Sequence, residues 1–314
     1  MIDVARLRRL LLLALLGCAS PAFAYPDRNL DIIVPFSAGG GNDVFIRALQ
    51  PALERELGTH LVVRNLAGGG GAVGLTHVAR LPADGYTLAV VSDGLLTQVA
   101  MGNVDFVPGD FDFVAKILEE PYLLAVSRDS PYPDLAAMIE DAQGGKRIKI
   151  GVSGVGSSAY LTAGAIGDAL GIDPILIPFD GGTETVSAVM GGHIDAVVLG
   201  GAELRSALSS QRVRALATSY PERSTSLPEV PTFIEQGIDY QTSVFRGLAA
   251  PKGLEDSHRA RLVEALQRAT EDAGFHTTIG HLGTDLSPLY GEELDEFVLA
   301  LAERMNQQAE QLTQ

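Results

Sequence analysis

Apolar residues fall along this chain in short runs that alternate with stretches of helical periodicity. Asp31–Pro35 is a β-branched run ending in a glycine-rich turn. Phe45, Ala48, Leu49, Ala52, Leu53 and Leu57 then recur at the spacing that lines one face of a helix. Pro51 lies inside that helix, where it removes one backbone hydrogen bond and predicts a kink. Leu61–Arg64 reads as a strand, Ala67–Gly71 as a loop, Gly74–Leu81 as a short helix and Tyr86–Ser92 as a buried strand. Later strands are expected at Leu123–Ser127, Ile148–Val152, Ile175–Pro178, Ala196–Leu199 and Leu216–Ser219. Two amphipathic helices, near Ser257–Asp272 and Glu292–Gln311, close the chain. This alternation predicts an α/β layered fold with largely parallel sheets. No fixed-period repeat or low-complexity linker divides it, so any second domain would be discontinuous, with Tyr122–Ser127 and Ser243–Ala249 as candidate crossings.

The first 24 residues break the pattern. Arg6, Arg8 and Arg9 precede the apolar run Leu10–Leu16, and Ala22-Phe23-Ala24 supplies small residues for cleavage, so the segment reads as a secretory signal cut after Ala24. Leu15-Leu16-Gly17-Cys18 offers the rival reading of a lipoprotein. The apolar run is too short to span a bilayer. Cys18 is the one cysteine in the sequence, so a chain cut after Ala24 has no disulfide, thiol nucleophile or cysteine metal site. The formal charge is −16, and removing the signal, with its three Arg and one Asp, leaves −18. Over its general surface such a chain repels nucleic acid and anionic lipid.

Candidate chemistry concentrates in four glycine-rich turns, each placed between a strand end and a helix start. They are Ser37–Asp43, Ala67–Ala72, Ser153–Ala159 and Asp180–Thr183. A helix N-terminus presents unpaired N–H groups and about half a positive charge. Glycine lets an anion approach those groups, and Ser or Thr hydroxyls add donors, so a carboxylate can be held without Lys or Arg. Each turn alone is more often architecture than site, but four in one α/β chain favour a ligand at the strand ends. A rival is the dinucleotide fingerprint: Gly69–Gly74 fits G-x-G-x-x-G, with Asp93 as the acidic ribose partner of an oxidoreductase. Extra loop residues before the motif and the export signal weigh against it. Catalytic patterns are weak. Ser153 lacks the final glycine of a nucleophile elbow, the six histidines show no HExxH, and Glu119-Glu120 and Glu292-Glu293 read as solvated faces. Neither an enzyme nor a cofactor or metal is expected.

Motif order carries a resemblance. Pro35-Phe36 with Gly39-Gly40 and Asp43 opens it, followed by Asn65, Gly68, Gly70-Gly71 and Gly74, then Asp84-Gly85-Tyr86-Thr87. Ser153–Ser157, Pro178-Phe179 with Gly181, Gly191-Gly192 with Asp195, Ala217-Thr218-Ser219, Arg223-Ser224 and Leu227–Thr232 follow. In this order, from about Tyr25 to the C-terminus, the sequence resembles the periplasmic substrate-binding receptors of tripartite tricarboxylate transporters, often called Bug receptors. The resemblance implies a two-lobed type II periplasmic-binding-protein fold with a ligand cleft between the lobes. Lobe 1 would hold residues 25–124 and 246–314, and lobe 2 residues 125–245. It implies a small organic carboxylate as ligand, held by backbone amides, hydroxyls and bridging waters, and membrane transporter subunits as partners. A sensory receptor for the same ligand is the alternative role.

Carried over residue by residue, lobe 1 would offer Ser37, Gly39, Gly40, Asp43, Gly70, Gly71, Ala72 and Val73. Lobe 2 would offer Ser153, Gly156, Ser157, Ser158, Gly182 and Thr183, with Asp195 either facing the cleft or capping structure. Ala38 and Ala67 stand where the family commonly has proline, Tyr160 where histidine is frequent, and Asp180 where Lys, Arg or Gln is common. Phe245-Arg246-Gly247 resembles the tricarboxylate-type branch. Arg246 would meet a second ligand carboxylate or form a salt bridge between lobes.

Overall fold

The structure, a computed structural model, describes residues 25–224 and 226–312, so the expected signal segment and Cys18 lie outside the described residues. Two mixed sheets with helices on both faces make a two-lobed α/β architecture. The first sheet contains β1 (Leu30–Val34), β2 (Leu61–Asn65), β3 (Thr87–Val91), β4 (Phe111–Glu120), β10 (Val244–Pro251) and β11 (Asp285–Leu289), in the order β11-β4-β10-β3-β1-β2. The second contains β5 (Tyr122–Ser127), β6 (Lys149–Val152), β7 (Ile175–Pro178), β8 (Ala196–Gly200) and β9 (Val213–Thr218), in the order β7-β6-β8-β5-β9.

The sheets are not largely parallel. β1 runs parallel to β2 and β3, and β6 to β7 and β8. β10 is antiparallel to β3 and β4, β11 to β4, and β5 to β8 and β9. Parallel neighbours need a crossover helix, whereas β5 and β10 arrive directly from the other sheet and enter from the opposite end. The chain leaves the first sheet at Glu120 and enters the second at Tyr122; it returns between Thr218 and Val244. Tyr122–Ser127 and Ser243–Ala249 therefore lie mostly within strands that flank the passages. Ser219 Oγ ties the passages together, accepting from the Tyr122 N–H at 2.9 Å and donating to the Thr242 carbonyl at 2.6 Å.

Ten described helices cover the sheets: α1 (Gly41–Leu57), α2 (Ala72–Ala79), α3 (Asp93–Ala100), α4 (Leu135–Gln143), α5 (Ser158–Leu170), α6 (Gly182–Met190), α7 (Gly201–Ser209), α8 (Asp256–Thr270), α9 (Ala273–Leu282) and α10 (Gly291–Leu312). α1 buries Phe45, Ile46, Leu49, Leu53 and Leu57 on one face and ends at Gly58, whose φ of 72° permits the left-handed cap. It runs through Pro51 without interruption, because Pro51 and Arg47 both lie on the exposed face, where water can satisfy the orphaned carbonyl. One face of the first sheet packs on α1, α8 and α9, and the other on α2, α3 and α10. The second sheet is sandwiched by α4 and α5 on one face and α6 and α7 on the other. Each fully buried Leu, Ile or Phe in these layers contributes about 1.5–3 kcal/mol.

Candidate functional site

Strands β1, β3, β6 and β8 end toward the space between the sheets, and the turns that follow them meet there. Helix N-termini of α1, α3, α5 and α7 thus face a common centre, as carboxyl-end sites of α/β sheets require. They enclose a cavity of about 30 Å³. Its walls are Phe36, Gly41 and Asn42 from the first turn, Ser92 before α3, Ser153 and Ser157–Ala159 from the third turn, and Glu203 on α7. Tyr122, Val244 and Arg246, beside the two passages, complete it. A space of this size holds about one water molecule, so the arrangement is closed.

Contacts between the turns hold it shut. Ser37 Oγ donates to the Asp180 carbonyl at 3.3 Å, and Thr183 Oγ1 to the Ala38 carbonyl at 3.2 Å. Gln98, fully buried on α3, donates to the carbonyls of Gly69 (2.6 Å), Gly70 (3.0 Å) and Val155 (3.2 Å), joining the second and third turns. Gly70 and Gly154 touch backbone to backbone: a Cβ on Gly154 would fall 2.6 Å from Gly70 Cα.

Of the residues singled out in sequence, Ser153, Ser157 and Ser158 line the cavity. Ser157 caps α5, accepting from the Tyr160 N–H at 3.1 Å and donating to the Gly154 carbonyl at 2.8 Å. Ser158 Oγ receives the Tyr122 hydroxyl at 2.6 Å. Ser37, Gly39, Gly40, Gly70, Gly156, Gly182 and Thr183 form the surrounding contacts between turns. Gly71 lies under the Phe36 ring, while Ala72 and the half-exposed Val73 open α2 away from the cavity walls. Asp43 shapes the first turn, accepting from the Gly39 N–H at 2.9 Å, from Arg47 at 2.9 Å and from Asn65 at 3.1 Å. Burial opposes its charge, but these partners, Arg47 foremost, hold its pKa below the usual carboxylate value.

Asp195 lies outside this cluster. It precedes β8, at the end of the strand remote from the cavity, where it accepts from the Lys149 N–H at 2.8 Å and pairs with Lys146 at 3.2 Å. It is a structural cap. Tyr160 packs on the core of the second sheet, and Asp180 is exposed. The Gly69–Gly74 motif is also no open phosphate cradle, since Gly70 abuts Val155, Gly74 abuts Pro35, and Asp93 is buried against the Phe245 N–H at 2.9 Å.

The largest correction concerns Glu119-Glu120. Neither is a solvated face. Glu119 is partly buried and bonded to Lys116 at 2.7 Å, whereas Glu120 is fully buried and pairs with Arg246, Nε to Oε1, at 2.8 Å. Arg246 also donates to Asn42 Oδ1, and Glu120 Oε2 accepts from the Ala202 N–H at 2.7 Å. Arg246 therefore joins a residue at the first passage to the N-terminus of α1. Burial disfavours its charge, yet Glu120 and Glu203 keep its pKa above the ordinary value. Glu203 was not apparent in sequence. Burial pushes its pKa up; Arg246 opposes this, and the like charge of Glu120 adds to it. The cue in the sequence was only its place in the first turn of a helix after a Gly-Gly strand end.

Two mixed sheets joined by paired passages, with helix N-termini gathered between them, define the class of two-lobed α/β periplasmic binding proteins. The chain belongs to the tripartite tricarboxylate transporter receptor family, whose profile ("Tripartite tricarboxylate transporter family receptor") matches residues 45–312. It is 31% identical over 251 residues to protein BugT of Bordetella pertussis, covering 77% of each chain. Its structure is similar to that of periplasmic binding protein BugD, with a TM-score of 0.85 and 27% identity over 92% of this chain and 98% of the other. MatC of Rhodopseudomonas palustris with bound malate superposes at a TM-score of 0.84 with 27% identity, covering 91% of this chain and all of MatC.

Proposed function

We propose that this protein is an exported, periplasmic solute receptor. It captures a small organic carboxylate between its lobes and delivers it to the membrane subunits of a tripartite tricarboxylate transporter. The boundaries expected from sequence, 25–124 with 246–314 and 125–245, cut through β5 and β10, and we draw the lobes instead as residues 25–120 with 244–312 and residues 122–218, joined by the two passages. The observation that carries the reading is the convergence of hydroxyls and helix N-termini from both sheets on one closed cavity. Short-range donors of this kind outweigh a screened acidic surface and hold a carboxylate without an unpaired cation. MatC, a relative by structure, is described with bound malate. The site is built to bind: its one arginine is committed to Glu120 and Asn42, and Ser157 and Ser158 are engaged as cap and acceptor. Separating the Ser37–Asp180 and Thr183–Ala38 contacts would open the cavity to solvent.

A thermal-unfolding panel of carboxylates, with NAD and sugars as controls, tests this. A carboxylate at about 100 times its Kd stabilises the protein by about 2.7 kcal/mol, an upward shift of a few degrees. A response to NAD with none to any carboxylate would contradict the reading.

A further inference from the structure

Glu203 reaches from the second sheet's side of the cavity to the first. One carboxylate oxygen accepts from the Gly200 N–H at 3.1 Å, and the backbone N–H of Gly41, at the start of α1, lies near enough to favour the charged carboxylate. Oε1 lies so close over Gly182 that a Cβ there would be 2.1 Å away, and it stands 3.9 Å from the corresponding position on Gly40. The carboxylate of Glu203 thus stands beside the amides that the first turn presents to an anion.

Arg246 and Glu203 are the only charged residues among the described cavity walls. The Arg246 guanidinium pairs directly with Glu120, whereas Glu203 makes no direct salt bridge among the described residues, so two carboxylates share one cation and a net negative charge remains at this wall. A second ligand carboxylate placed here would meet a like charge and find its donors taken. An uncharged group that donates a hydrogen bond would instead find an acceptor in Glu203.

We propose that Glu203 sets the ligand's charge. The receptor selects monocarboxylates whose far end carries a neutral hydrogen-bond donor, and it rejects dicarboxylates. This rests on the reading of the cavity as a carboxylate site. Matched probes test it: succinate against succinamate, glutarate against glutaramate, and adipate against adipamate. Each pair conserves length while exchanging a carboxylate for a carboxamide, and calorimetry at pH 7.5 reads the binding.

The wild-type protein is expected to bind the half-amide of the best-fitting pair at least tenfold tighter than its dicarboxylate. Glu203→Gln keeps a carbonyl acceptor and removes the charge, and it should bring the two within threefold. Glu203→Ala should lose the half-amide preference as well. Wild-type protein binding a dicarboxylate as tightly as its half-amide would overturn this inference and leave the carboxylate receptor standing. So would a preference unchanged in both variants. Silence from all six probes in all three proteins would overturn the site reading and this inference together.

Discussion

Asp93 shows how far the surroundings of a single carboxyl can move it. It is 3% exposed at the first turn of α3, and its carboxylate accepts the Phe245 N–H at 2.9 Å. Burial pushes its pKa up to about 7, against the pull of that N–H and of Arg246. Because the folded value lies above the unfolded one, near 3.9, the folded state holds the proton more tightly. The resulting stability is fully present below about pH 4 and is lost as pH rises through about 7, at up to about 1.4 kcal/mol per pH unit. Asp93→Asn still offers a carbonyl to Phe245 and has no charge to desolvate. In urea unfolding, the stability of the variant relative to wild type should therefore improve steadily from pH 4 to pH 7.5. A difference that stays constant across that range would contradict this assignment.

At the level of elements, the site is made by where helices begin. Ser157 shows the coupling, because the hydroxyl that caps α5 also lines the cavity. Aspartate keeps the N-cap acceptor but loses the donation to the Gly154 carbonyl and buries a charge, so Ser157→Asp should cost about 1–3 kcal/mol, and circular dichroism checks that it folds before binding is read. The substitution places a negative charge where the ligand carboxylate would sit, and a carboxylate that stabilises the wild type should no longer shift its thermal unfolding. Retained binding would remove the third turn from the site. The turns were legible in sequence because four glycine clusters recur at strand-to-helix junctions of one chain. β4 was not legible, since Asp112, Lys116, Glu119 and Glu120 interrupt what is otherwise an apolar run. Those charges are accommodated by partners far along the chain. Asp112 accepts the N–H groups of Gly253 (2.7 Å) and Leu254 (2.9 Å), and Lys116 bonds Ser287 at 2.9 Å. A buried charge with remote partners leaves no local signature, and for that reason a salt bridge was expected for Arg246 but its partner Glu120, and Glu203, were missed. β11 is half-buried with Pro288 inside it, and the helices α3, α4 and α9, of 8, 9 and 10 residues, are too short for a pattern to stand out.

Across the whole molecule, two features connect the halves. One is the paired passages joined by Ser219; the other is α10, which packs on α3 while Leu161 of α5 reaches the same core. The turns across the cavity touch mainly through a few hydrogen bonds and glycine contacts, which makes them the parts able to separate. Bending at the passages would part Ser37 from Asp180 and Gln98 from Val155 while leaving both sheets intact. The mixed strand directions follow from those passages, and a reading by local pattern, which sees strands but not their directions, predicted largely parallel sheets. Small-angle X-ray scattering of the protein, without ligand and then saturated with a carboxylate identified by thermal shift, tests capture by closure most directly. The account predicts a ligand-free particle more extended than the closed structure, and a saturated one that contracts to match it. Identical scattering curves, with calorimetry demonstrating saturation, would contradict it.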